Sequence, residues 1–197
     1  MDDSQHGVDE WETLRRRQMG DYRVFSVRED RRRSPRTGVA HDFYVLQMPE
    51  WVNVIALTPQ RRVVMIEQYR HGIEQVSVEI PGGMVDEGED VLADTAAREL
   101  QEETGYEAQD VITIGSVTAN PAIQNNRLHT FVALGCRPTS ATDLEEAEDI
   151  AVREVSLEDA AALIDSGQLH HALVIAGFYW FDRWYDRNQD LVSKYDE

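Results

Sequence analysis

Gly82-Gly83-Met84-Val85-Asp86-Glu87-Gly88-Glu89, followed by Arg98-Glu99-Leu100-Gln101-Glu102-Glu103-Thr104-Gly105-Tyr106, is the stretch on which the reading of this 197-residue chain turns. Val91 to Thr104 holds neither Pro nor Gly and reads as a helix, with Gly105 just past its end, where a left-handed residue is favoured. Pro81-Gly82-Gly83 ahead of it demands a tight turn. On a helix advancing about 100° per residue, Glu99, Glu102 and Glu103 fall within roughly a 100° sector. Like charges at this spacing repel, by roughly a few tenths of a kcal/mol per pair. A helix keeps such a cluster at little cost only where it faces water or a cation. Oxygen-only donors on one face suit a hard divalent ion, Mg²⁺ or Mn²⁺. The glycines let backbone groups approach that ion, or a phosphate, with no Cβ in the way.

Working outward, Val52–Leu57 and Val63–Gln68 read as a buried hairpin around the turn at Thr58–Arg61, and Val76–Ile80 as a further strand running into Pro81. Val111–Thr118 and Leu128–Leu134 read as strands flanking a polar loop, Ala119–Asn126. Leu157–Ile164 and Leu173–Tyr185 read as helices. Towards the N-terminus, Tyr22–Arg28 and Val39–Met48 have strand character and are expected to pair across an Arg-rich turn, Glu29–Gly38. Glu12–Gln18 has the composition of a short charged helix. Strands dominate the middle and helices interrupt them singly, so the expected class is mixed α/β rather than a regular βαβ array.

Composition narrows the function. The chain carries 37 acidic and 19 basic residues, a formal charge of −18. Up to residue 40 there are nine Arg against eight acids, so the acidic excess belongs wholly to the later part. Such a field repels nucleic-acid phosphates and anionic lipid, and neither is expected as a partner. One cysteine, Cys136, excludes an internal disulfide framework and a multi-Cys zinc site; it reads as a buried thiol. No apolar run approaches the roughly 20 residues of a membrane span, and Met1-Asp2-Asp3-Ser4 lacks the layout of a signal peptide, so a cytoplasmic location is expected.

At the quoted stretch the chain resembles the Nudix hydrolase family. That family's box runs Gly, five residues, Glu, seven residues, Arg-Glu, an aliphatic residue, any residue, Glu-Glu, any residue, Gly, an apolar residue. Gly83 and Glu89 have the first spacing, and Arg98 to Tyr106 fit the second half. Eight residues, Asp90 to Ala97, separate Glu89 from Arg98 where the family has seven. Counting back from Arg98 would put Asp90 in the Glu slot and Met84 in the Gly slot. We read one inserted residue at the loop-to-helix junction, which leaves the register of the three helical glutamates intact. The resemblance spans about residues 20–185. It is similar to the branch of ADP-ribose and nucleoside-diphosphate-sugar pyrophosphatases through Pro49-Glu50-Trp51-Val52, Glu67-Gln68-Tyr69-Arg70 and Glu145-Glu146-Ala147-Glu148-Asp149-Ile150.

The resemblance implies a Nudix α/β/α sandwich over residues 49–197 with an N-terminal β-hairpin extension, residues 1–48, that builds a homodimer. It implies metal-dependent hydrolysis of the diphosphate bond in a nucleoside diphosphate sugar, with ADP-ribose, ADP-glucose and GDP-mannose all open. Glu99, Glu102, Glu103, Glu148 and the Gly82 carbonyl would hold Mg²⁺ or Mn²⁺. Glu146 would take a proton from the attacking water, with Glu99 and Glu103 completing the catalytic set. Arg70 would clamp the diphosphate as a fork-shaped guanidinium can, while Glu50 and Trp51 would line the nucleobase site. The rival reading is a Nudix-fold module that senses a nucleotide without cleaving it. Such modules usually lose box carboxylates, and here Glu99, Glu102 and Glu103 are all present.

Overall fold

The computed structural model describes residues 7–196. Residues 1–6, the start of the expected extension, and residue 197 lie outside the described residues. The chain divides into two compact units. One runs up to Pro49 and takes in Thr118–Asn126; the other holds Glu50–Val117 and the chain from Arg127 onward.

The first unit is a three-stranded antiparallel sheet in the order β1 (Glu12–Asp21), β2 (Ser26–Arg33), β3 (Ala40–Gln47). Two expectations are corrected here. Glu12–Gln18 is strand, not helix, and Arg31, Arg32 and Arg33 lie in β2 rather than in a turn, so the extension has three strands where a two-stranded hairpin was expected. The cause is charge pairing, along β2 at Asp30 and across to β1 at Glu29. Asp30 is fully buried and accepts from Arg28 Nε at 2.7 Å and Arg32 Nη2 at 2.7 Å. On the opposite face Glu29 accepts from Arg15 at 2.9 Å and Arg17 at 3.1 Å. Burial works to raise the Asp30 carboxyl, but the two arginine hydrogen bonds outweigh it and hold the group below its ordinary range. Asn125 Oδ1 accepts from the Met48 amide and Asn126 Nδ2 donates to the Pro49 carbonyl, which ties the 118–126 segment to the end of β3.

The second unit is built on β4 (Trp51–Leu57), β5 (Arg62–Arg70), β6 (Gln75–Glu79), α1 (Leu92–Thr104), β7 (Tyr106–Glu107), β8 (Asp110–Thr118), β9 (Arg127–Leu134), β10 (Arg137–Pro138), β11 (Ile150–Ser156), α2 (Leu157–Asp165), α3 (Ala172–Tyr185) and α4 (Gln189–Val192). The main sheet runs β11-β5-β4-β9-β8, with β6 also on β5; β4 and β9 are parallel, and β7 pairs with β10. Strand alternation divides the core. Val52, Val54 and Ala56 face Ala96 and Leu100 of α1, together with Phe131, Ala133 and the buried thiol Cys136. Ile55, Leu57, Val63, Met65 and Val132 face Ala160 of α2 and Val174, Phe178 and Phe181 of α3. The result is a mixed α/β sandwich, helix on both faces of one sheet. Among the described residues, no helix is long and apolar enough to cross a membrane.

The hairpin of β4 and β5 is real but short. The two strands pair only at Ala56–Val64 and Leu57–Val63 and then splay. Beyond the splay β5 pairs with β6, and the chain that follows β6 returns to pair with β4. Val54 N–H donates to Pro81 O, Val52 N–H to Gly83 O, Gly83 N–H to Val52 O, and Val85 N–H to Glu50 O. The glycine turn is thus a fixed rung of the sheet, wedged where β4 and β5 part.

Candidate active site

The stripe of α1 that packs on the sheet holds Ala96, Leu100 and Glu103, spaced four and three residues apart. Glu103 is therefore delivered to the core face and is 4% exposed. Its Oε2 accepts from the Gly82 amide at 2.8 Å. Glu99, one turn earlier, has a side chain only 13% exposed and lies against Gly83. A Cβ on Gly83 would stand 2.5 Å from Glu99 Oε1, and one on Gly82 would stand 2.3 Å from Val52 O. The glycine pair thus answers two close approaches, one to a carboxylate and one to a backbone strand.

Arg98 organises the rest of the box. Its Nη1 donates to Glu102 Oε2 at 2.6 Å, its Nε to Glu89 Oε1 at 3.1 Å, and its Nη2 stands 3.1 Å from Glu99 Oε1. Glu89 also accepts from the Asp86 amide at 3.0 Å and from Thr95 Oγ1 at 2.9 Å. Glu89, not Asp90, is therefore the carboxylate that clasps the arginine. The extra residue is taken up ahead of the helix, where Val91 is extended (φ −111°, ψ 95°) and offers no side-chain cap. The Arg98 hydrogen bond, then the Asp86 amide, draw the Glu89 carboxyl down to about 2.

The helical carboxyls move the other way. Burial, partly offset by the Gly82 N–H and reinforced by the charges of Glu99 and Glu148, pushes Glu103 up to about 8. Burial, opposed by Arg98 and reinforced by Glu102, raises Glu99 to about 7. Glu148 sits in a turn in which its Oε2 accepts from the Glu145 amide at 3.0 Å, and its charge is felt by Glu99, Glu103 and Arg70. Arg70, at the end of β5, pairs with the buried Glu79 through Nε–Oε1 and Nη2–Oε2, both 2.8 Å.

The structure therefore sets Gly82 on Glu103 and Gly83 against Glu99, with Glu148 and Arg70 within electrostatic reach and Glu102 turned onto Arg98. Glu146 is exposed on the loop carrying Glu148. Trp51 is half-buried at the head of β4, bridged to Met84. Glu50 Oε2 is engaged by the Arg127 amide at 3.1 Å and by His129 Nε2 at 3.0 Å. Sequence reasoning missed Glu79. Its signal was a carboxylate in a short strand, on the same face as Ser77 and two residues ahead of Pro81.

Among the described residues, no three His, Cys, Asp or Glu side chains are drawn closely enough round one point to hold a metal ion as they stand. The donor chemistry fits a hard divalent cation even so. The donors are oxygens alone, carboxylates with the Gly82 carbonyl, and two of the carboxylates are buried in each other's field.

A sequence model of the NUDIX domain matches residues 49–178. The chain belongs to the Nudix family. It is 32% identical over 167 residues to a methanol dehydrogenase activator of Bacillus methanolicus, covering 84% of this chain and 89% of that one. It is 35% identical over 136 residues to an ADP-ribose pyrophosphatase of Bacillus subtilis, covering 68% and 73%. The crystal structure of an ADP compounds hydrolase superposes with a TM-score of 0.81 at 20% identity, over 93% of this chain and 98% of that one, a likeness of fold. As a Nudix hydrolase the chain falls in a family that generally requires divalent metal ions.

Proposed function

We propose that this Nudix hydrolase splits the diphosphate bond of a nucleoside diphosphate sugar of the ADP-ribose kind, giving a nucleoside monophosphate and a sugar phosphate. The observation that carries the reading is the Gly82 N–H bond to Glu103, which fixes the acidic helix against the glycine turn beside Arg70. Relatives named ADP-ribose pyrophosphatase in two organisms, Bacillus subtilis and Mycobacterium tuberculosis, support the substrate class.

In this reading Glu99, Glu102, Glu103, Glu148 and the Gly82 carbonyl would hold Mg²⁺, with Mn²⁺ as an alternative. A cation held there would screen the diphosphate charge and lower the pKa of a bound water. Arg70 donates to the diphosphate oxygens and orients the bond to be broken. Glu146, two residues from Glu148 and open to solvent, accepts the proton as water attacks phosphorus. Glu50 and Trp51, at the head of β4, line the nucleobase end. Binding a polyanion to a protein of net charge −18 needs local positive charge, which Arg70 and bound cations would supply.

The deciding experiment is a panel of nucleoside diphosphate sugars with Mg²⁺ and with EDTA, run in ¹⁸O water so that the labelled product marks the phosphorus attacked. Metal-dependent release of a nucleoside monophosphate supports the reading; no hydrolysis of any member overturns it. We further propose a cytoplasmic homodimer formed through residues 1–48. Exposed Leu14, Met19, Phe43 and Tyr44 in that sheet support the contact. A monomer mass by light scattering at micromolar concentration overturns it.

A further inference from the structure

The ladder of β5 and β6 sets Arg70 opposite Gln75, whereas Glu79 lies opposite Ile66, four residues further along the hairpin. That is about 13 Å of strand. The guanidinium nevertheless meets both oxygens of Glu79 at 2.8 Å. The Arg70 side chain must therefore run back along the sheet, over the Gln68–Ser77 pair that lies between them. Ser77 is fully buried and Glu79 is 2% exposed. An arginine at the end of a strand gains rotamer freedom and hydration by swinging out into water. Glu79 restricts that freedom, leaving the Arg70 side chain 41% exposed, and keeps it in the field of Glu103 and Glu148, whose charges both act on Arg70.

We propose that Glu79 is a positioning residue for diphosphate binding. It engages Nε and one edge of Nη2 and so presents the Nη1 side of Arg70 to the anion in one fixed pose. This rests on the reading of Arg70 as the diphosphate clamp. The role makes a prediction opposite to simple electrostatics. Neutralising a carboxylate close to a diphosphate site should tighten polyanion binding if only charge mattered. A positioning role requires the reverse, because the freed guanidinium spreads over many rotamers.

The test is steady-state hydrolysis of ADP-ribose at saturating Mg²⁺ by wild type, Glu79→Gln, Glu79→Asp, Arg70→Ala and the Arg70→Ala/Glu79→Gln double variant. Glu79→Gln should raise KM about tenfold with kcat within about threefold. Glu79→Asp, which keeps the charge on a shorter arm, should recover part of that loss. In the Arg70→Ala background Glu79→Gln should leave KM unchanged, since the residue acts only through the arginine. An unchanged or lowered KM for Glu79→Gln, or its full effect persisting without Arg70, overturns the proposal while leaving Arg70 in place. An Arg70→Ala variant with wild-type KM overturns the clamp reading itself. Should Glu79→Gln fail to fold, Glu79→Asp in the same two backgrounds separates the same alternatives: a raised KM that vanishes without Arg70 supports positioning, and an unchanged KM overturns it.

Discussion

The Gly82 amide donates to Glu103 Oε2 at 2.8 Å, across 21 residues of sequence. The bond joins the glycine turn, itself a rung of the sheet, to the core-facing stripe of α1. A glutamine at 103 can accept the same bond through its amide oxygen. Glu103→Gln is therefore expected to fold normally by circular dichroism while kcat for ADP-ribose falls by roughly two orders of magnitude or more. Activity within about threefold of wild type would remove Glu103 from the metal set.

The two glycines separate stability from catalysis. A Cβ at Gly82 meets the Val52 carbonyl at 2.3 Å, and a strand backbone cannot step aside. Gly82→Ala is expected to cost about 1–3 kcal/mol in urea unfolding. A Cβ at Gly83 meets the end of the Glu99 side chain, which can rotate away. Gly83→Ala should keep its melting temperature within a few degrees and lose most of its turnover.

Glu89 gives a pH signature. Its folded carboxyl lies at about 2, below the ordinary glutamate range, so its contribution is present above about pH 4.5 and is lost as pH falls towards 2. Partial exposure keeps that contribution at about 1–2 kcal/mol. Denaturation of wild type and Glu89→Gln should differ by this much at pH 7, and the two curves should converge on acidification. A gap that stays constant down to about pH 2.5 would show that Glu89 does not act through its charge.

Metal addition should read out on folding as well as on turnover. An ion that binds only the folded site raises stability with its concentration. Thermal melts in EDTA and then with millimolar Mg²⁺ are expected to rise by several degrees for wild type and much less for Glu99→Gln/Glu103→Gln. Equal shifts in both proteins would place the ion elsewhere.

The parts of this molecule legible in sequence were those whose cause is local. The Pro- and Gly-free run closed by Gly105 gave α1 to within one residue, and the apolar runs gave β4, β5 and β9. Missing were features decided by distant partners. Arg15, Arg17 and Arg31 look like solvated charge until strand pairing places Glu29 and Asp42 beside them, and Arg32 until extended backbone sets Asp30 on the same face of its own strand. Glu79 looks like an ordinary strand carboxylate until Arg70 reaches back to it. The Pro81–Val85 stretch reads as a loop, because nothing nearby announces that its amides will meet β4. For the same reason spacing alone left Glu89 and Asp90 as rivals, which only the Arg98 contact separated.

The sheet of residues 12–47 adds to its backbone ladders a set of arginine side chains seated on carboxylates. Guanidinium chloride presents the same cation in molar excess, whereas urea presents no charge at all. The two denaturants should therefore dismantle this molecule in different orders, with the N-terminal strands surrendering early to the salt and late to the neutral amide.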